Sequence, residues 1–314
     1  MNEFVQRIAH DYPVRRKARE KEAMRSYLMG TLRSLGYAPS LETDSSLLRG
    51  ISPTTNVVVG DPEQARVILA AHCDTGLREL FPPLLCPTRP VTYVLYQMLT
   101  PVAWLLGSFA LSLAVSMPLH RPGLMMPLFL VLLIAGLLYL RFGPSETRTL
   151  NDNTSGVAAL LETAKRLTPR WRGKVCFVFF DAGSGGTKGA KAFRRRHSSV
   201  KEKNFIVLDS VGVGDELLLL PSKYARWNGE LLDALNQSFA DAETPAGKSV
   251  FLKTDGLTYY PSDNRAFRYS VAVCAVTKMP GFGRCILPRK ATAVDEGNLQ
   301  LLSDGLCRLV AKFD

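Results

Sequence analysis

Two stretches without a single charged residue, Val91–Met117 and Leu124–Leu140, constrain this chain more than any other feature. A bilayer core calls for about 20 apolar residues per helix, so the first run spans easily and the second is just long enough. Only Pro118-Leu119-His120-Arg121-Pro122-Gly123 separates them. A pair joined by so short a turn enters and leaves on one side. Tyr93, Tyr96 and Tyr139 fall near one end of the pair, the level at which amphipathic rings meet lipid headgroups. A hairpin buried inside a soluble fold is the alternative, and two such runs in tandem with Pro-rich flanks argue against it. The sequence therefore predicts a transmembrane helical hairpin over 89–143, inserted between the two parts, 1–88 and 144–314, of one larger domain.

Charge placement predicts the side. The turn carries only His120 and Arg121, whereas Arg89, Arg141 and Arg148 flank the other ends. Positive residues stay inside, which puts the domain and both termini in the cytoplasm of a multi-pass protein of the cell membrane. No apolar leader follows Met1-Asn2-Glu3-Phe4, so no secretory signal is expected there. A net charge of +11 fits a neighbour of anionic lipid. Arg194-Arg195-Arg196-His197, Lys201, Lys203 and the basic N-terminal helix would each gain about 1 kcal/mol per residue near such a surface. The lipid bilayer is thus the expected partner. Nucleic acid is not, because neither aromatic interleaving nor a recognised motif accompanies the basic residues.

Outside the hairpin, apolar runs end in chemistry-bearing residues. Ala65–Ala71 reads as a buried strand that delivers His72-Cys73-Asp74. Val175–Phe180 and Phe205–Leu208 read as two more, each followed by an Asp, Asp181 and Asp209. Asn151-Asp152-Asn153-Thr154-Ser155-Gly156 opens an apolar helix, which places Asp152 at a helix N-terminus. An open α/β sheet collects such groups at the carboxyl ends of its strands. Later runs, Asp215–Leu220 and Ser270–Val276, extend the sheet, with helices from Trp227 to Leu235 and from Glu296 to Val310. Tyr27, Leu28, Leu32 and Leu35 give the N-terminal helix one apolar face, closed by Gly36. Six cysteines show no metal-finger spacing; Cys176 and Cys274 read as core. Cys73, between His72 and Asp74, should face the opposite side of its strand.

The order of these motifs, from Asp11-Tyr12-Pro13 to about Pro280, resembles the di-zinc aminopeptidase and glutaminyl-cyclase-like metallopeptidase family. The resemblance implies a three-layer α/β/α zinc-exopeptidase-like domain with a mostly parallel central sheet, here carrying an inserted transmembrane hairpin. It implies that His72, Asp152 and Asp209 hold one zinc, and that Asp74 orients His72. Asp152 also matches the carboxylate that bridges to a second zinc.

The second half of the family's site is missing. Paired glutamates are replaced in Asp181-Ala182-Gly183-Ser184, so Gly183 falls at the general base and Ser184 at a ligand of the second zinc. The closing histidine of Ser-Asp-His is Asn264 in Ser262-Asp263-Asn264. A hydroxyl and an amide are poor zinc ligands, so at most one zinc, or none, is expected. Without a base, proton transfer forgoes roughly two to four powers of ten in rate. The nearest candidates, Asp181 and Lys188, match positions that are not the base. Three functions follow as expectations: a membrane-bound pseudopeptidase that binds a peptide or partner protein, an active one-metal aminopeptidase or amidohydrolase, and a membrane-surface scaffold without metal.

Overall fold

The computed structural model describes residues 2–45, 53–78, 84–286 and 293–313. Among the described residues, nine strands form one mixed sheet. In chain order they are β1 (Pro39–Asp44), β2 (Thr54–Val59), β3 (Val67–His72), β4 (Val175–Phe180), β5 (Asn204–Leu208), β6 (Glu216–Pro221), β7 (Ser249–Leu252), β8 (Ser270–Met279) and β9 (Gly283–Cys285). They lie side by side as β1-β2-β4-β3-β5-β8-β6-β7, with β9 on β8. The parallel pairing expected from the sequence holds in the middle, where β4, β3, β5 and β8 run together. Antiparallel pairs flank it on both sides, β1 with β2 and β2 with β4 on one, β6 with β8 on the other. All six residues of β3 and of β4 are buried, as expected for strands covered on both faces.

Alternation along β3 divides the core. Val67, Leu69 and Ala71 join a cluster with α1 (Glu3–Asp11), α2 (Ala18–Ser34), α5 (Gly156–Arg166), α7 (Gly229–Ala240) and α8 (Glu296–Lys312). Ile68 and Ala70 face the other way, onto Phe180, Phe205, Phe267 and the Phe193 of α6 (Lys188–Arg196). Three layers result. The N-terminal helix buries Met24, Leu28 and Leu32, with Tyr27 and Leu35 half-buried beside them. Arg194, Arg195 and Arg196 lie at the C-terminal end of α6, where Arg195 pairs with Asp44 and Arg196 approaches Glu42.

Two helices, α3 (Pro90–Ser116) and α4 (Met125–Phe142), leave this body after β3 and return before α5. Both are long and apolar enough to cross a membrane. Only 11% of the most apolar stretch of α3 and 0% of the corresponding stretch of the second helix is buried, so neither is a core helix of the α/β domain. Instead they pack on each other through small residues. Ser108, Ser112 and Ser116 are the buried positions of α3, and a Cβ at Gly136 would collide with Trp104 Nε1. Close helix approach of this kind suits lipid, where apolar side chains gain little by meeting each other.

Candidate metal centre

Each member of the site is delivered by a different element. His72 ends β3, and its even-numbered parity turns it away from the α1/α5 face. Asp209 follows β5 directly, and Asp152 lies in the tight turn Leu150–Ser155. The helix itself begins at Gly156, so Asp152 stands ahead of it in non-helical backbone and caps nothing. This differs from the sequence expectation because Asn153 takes over the turn. Its Nδ2 donates to the carbonyls of His72 (3.2 Å) and Leu208 (3.0 Å), and its Oδ1 accepts from the Ser210 N–H (3.2 Å). One buried amide thus staples the ends of two strands. Gly156 is required beside it, since a Cβ there would collide with the Asn153 amide.

The triad converges on one point. His72 Nε2 is 3.3 Å from Asp152 Oδ1 and 3.8 Å from Asp209 Oδ1. All three ligand atoms lie within 4.8 Å of one another. Ligands about 2.1 Å from a tetrahedral zinc stand about 3.4 Å apart, so the residues fit a zinc ion with one position left open. On the other side of the ring, Nδ1 faces Asp74 Oδ1 at 3.3 Å, and that oxygen accepts from the Gly183 N–H at 2.7 Å. Such an arrangement holds the imidazole with Nε2 toward the metal position. Burial alone would push the His72 pKa down, but Asp152, Asp209 and Asp74 together hold it well above its usual value. A metal arriving here must displace that proton. Asp74 is buried too, a cost outweighed by His72, Lys21 and the Gly183 N–H, which keep it below the usual carboxylate range.

Gly183 sits differently from a simple deletion. A Cβ built on it would collide with His72 Cβ and stand 2.6 Å from His72 Cγ and 2.7 Å from Asp263 Oδ2. The space a longer side chain would leave through is therefore closed. Asp263, the middle residue of Ser262-Asp263-Asn264, closes it together with His72. It is 1% exposed, and neither carboxylate oxygen has a hydrogen-bond partner among the described residues. Burial pushes its pKa up to about 7, with His72 opposing and Asp74 and Asp209 adding to the rise.

The remaining candidates separate. Ser184 is exposed at the rim of the cleft, while Asn264 is buried and is not among the residues lining it. Asp181 points to the other face, where Lys21 Nζ lies 2.7 Å away and the Thr55 N–H donates to it. Cys73 is buried in the opposite core with its thiol pushed up to about 12 by burial. Cys176 and Cys274 are fully buried. Arg15, in the basic stretch ahead of α2, is 0% exposed behind the site. Its Nε donates to the Cys73 carbonyl and its Nη1 to that of Tyr12.

The cleft above the triad measures about 650 Å³. Asp152, Asp209, Asp263 and Glu146 line it, opposed by His72, Lys191 and Arg265. A protein of net charge +11 thus gathers four carboxylates in one hollow, an arrangement suited to a cation.

Comparison with known proteins agrees with this geometry. Residues 140–285 match the family model of peptidase family M28. Glutaminyl cyclase from Porphyromonas gingivalis shares the fold at a TM-score of 0.61 and 18% identity, with 98% of this chain and 95% of that one covered. A Zn-dependent exopeptidase from Parabacteroides distasonis superposes at 0.59 with 15% identity over 98% and 94% of the two chains. Glutaminyl cyclase from Macrostomum lignano does so at 0.58 with 14% identity over 99% and 89%. No curated protein matches the chain in sequence. The matched stretch spans under half of the chain, and the solved structures share its α/β fold.

One consequence concerns the staple. Asn153→Ala strips three hydrogen bonds from buried backbone groups, each worth about 1 kcal/mol or more. Unfolding in urea is expected to show a loss of about 3 kcal/mol, and zinc titration a weakening of at least about tenfold. Unchanged values in both would mean that the strand ends hold the triad unaided.

Proposed function

We propose that this chain is a membrane-anchored, one-zinc relative of the exopeptidases that binds an amide-bearing ligand, a peptide or the end of a partner protein, without efficient hydrolysis. Its hairpin crosses the membrane and its α/β domain lies on the cytoplasmic side. His72, Asp152 and Asp209 would hold the zinc, with Asp74 orienting His72. Bound there, zinc supplies a Lewis acid that polarises an amide carbonyl. The surrounding residues position the ligand: the carboxylates of the cleft favour a cationic group, and Lys191 and Arg265 line the same cleft.

The observation that carries this reading is the closure at Gly183. Loss of the base is built into the packing of His72 against the loop, and Ser184 and Asn264 cannot supply a second metal site. Purified full-length protein is expected to retain about one zinc per chain by mass spectrometry of the metal, and His72→Ala to retain none, removal of a ligand costing well over about a hundredfold in affinity. No release of amino acid from aminoacyl anilides is expected. Absence of zinc from the unmodified protein would favour the scaffold without metal.

A second reading has its own support. Asp263 is a buried acid beside the vacated position, so a one-metal hydrolase using it to carry the proton is the alternative. Anilide turnover that disappears in both Asp152→Asn and Asp263→Asn would establish it over the first.

A further inference from the structure

The walls of the cleft differ in a way the peptidase-like site does not require. The lining includes a polar set, Ser184, Thr187, Lys191 and Arg265, and a largely apolar set, Leu77, Leu85, Tyr93, Gln97 and Leu140. Tyr93 and Gln97 stand on the first two turns of α3, and Leu140 on the last turn of α4. Three members of the largely apolar set therefore come from the domain-proximal ends of the hairpin, with Leu77 and Leu85 beside them. This set does not stop at a polar rim. Val94, Leu95, Leu137 and Leu138, the neighbours of these residues on the same helices, are all exposed, so the lining continues into the surface that would face lipid.

The hairpin is also fixed at this place. Tyr93 packs on Tyr259 with ring centroids 5.4 Å apart, and Tyr139 Oη donates to the Arg78 carbonyl at 2.9 Å. Arg16 donates to the carbonyls of Gly143 and Arg141, and Arg89 to that of Gly281. Every one of these contacts ties the base of α3 or α4 to the soluble domain beside the cleft.

We propose that the cleft takes its ligand from the bilayer: an amphiphile whose amide-bearing head sits over His72, Asp152 and Asp209, and whose apolar tail leaves past Leu77, Tyr93 and Leu140 along the hairpin. This rests on the functional reading above, and adds to it the class of molecule. A freely soluble peptide would leave the apolar wall in contact with water, and a ligand that never leaves the membrane would not reach a metal held at the ends of β3 and β5. An amphiphile satisfies both ends of a cavity of about 650 Å³, within the usual size of small-molecule sites.

The test uses the zinc-loaded full chain in phosphatidylcholine nanodiscs and two probes with one head: alanylalanine methylamide, which is water-soluble, and alanylalanine hexadecylamide carrying a diazirine on its tail. The hexadecylamide is expected to bind at least about tenfold tighter than the methylamide, by burial of apolar carbons, after subtraction of its partition into empty nanodiscs. Its crosslinks should fall on peptides containing Tyr93, Gln97 and Leu140 and vanish under excess methylamide. Leu140→Arg is expected to erase the difference between the probes. Equal affinities, or crosslinks spread along both helices and indifferent to competitor, overturn the proposal while leaving the head site intact. Failure of both probes to bind overturns the functional reading and this proposal with it.

Discussion

Replacing Asp263 with Asn is expected to stabilise the zinc-free protein by about 4 kcal/mol at pH 8, taking about 1.4 kcal/mol for each unit of pKa shift. At pH 4 the gain should be well under 1 kcal/mol by the same linkage. The sign follows from the direction of the shift. Burial raises the Asp263 pKa from an ordinary 3.8 to about 7, so between those values the folded protein holds a proton that the unfolded chain has released. Stability therefore falls as pH rises through that window and is fully reduced above it. Asn keeps the shape and removes the charge. His72 acts in the same direction over a higher window: its raised pKa gives stability that is present below its unfolded value and lost as pH rises through the folded one. That contribution is common to both proteins to first order. Urea unfolding of each at pH 4, 6 and 8, with a chelator present, reads the difference directly. A difference that does not grow with pH would show that Asp263 is ionised in the fold and held by something other than its apolar surroundings.

The second large effect is expected at Gly183. Alanine there must displace His72 or Asp263, and His72 Cβ is too near the backbone to swing aside. Overpacking of this kind costs about 1 to 3 kcal/mol. Because the residue that must give belongs to the triad proposed to hold zinc, metal affinity should fall at least about tenfold as well. The same collision means that Gly183→Glu is not expected to restore hydrolysis, even together with Ser184→Glu and Asn264→His. Metal titration and unfolding of the alanine variant check the first claim, and anilide turnover by the triple variant checks the second. Tolerance of alanine with zinc binding unchanged would mean that the loop around Gly183 yields easily and that the base position is merely empty.

What the sequence revealed of the site depended on how local each signal was. His72 and Asp209 were legible because each ends a short apolar run, and a buried parallel strand writes itself as such a run. Asp152 was legible as a site residue but misplaced by four residues relative to its helix, since the capping pattern around it is used by Asn153 to join two strands far apart in the chain. Arg15 stands in a run of basic residues that gives no local sign of burial; only the carbonyls of Cys73 and Tyr12, brought together by the fold, explain it. Asp263 was in view but drew attention only through its neighbour Asn264. Its burial against His72 and Gly183 is a packing fact with no local trace. The fold was read in the same way: the all-apolar central strands stood out, whereas β1 has no apolar run, and its Glu42 and Asp44 are half-buried by pairing with Arg196 and Arg195 of α6, so it reads like a loop until β2 is laid beside it.

The sheet order has a consequence for how the protein is made. β3 pairs only with β4 and β5, and both are encoded beyond the hairpin. During synthesis the segment bearing His72 must therefore wait without a strand neighbour while α3 and α4 are made, until β4 emerges, and its second strand partner follows only at residue 208. Ribosome-bound chains that stop short of that point would carry His72 and Asp152 without β5 and the Asp209 that follows it.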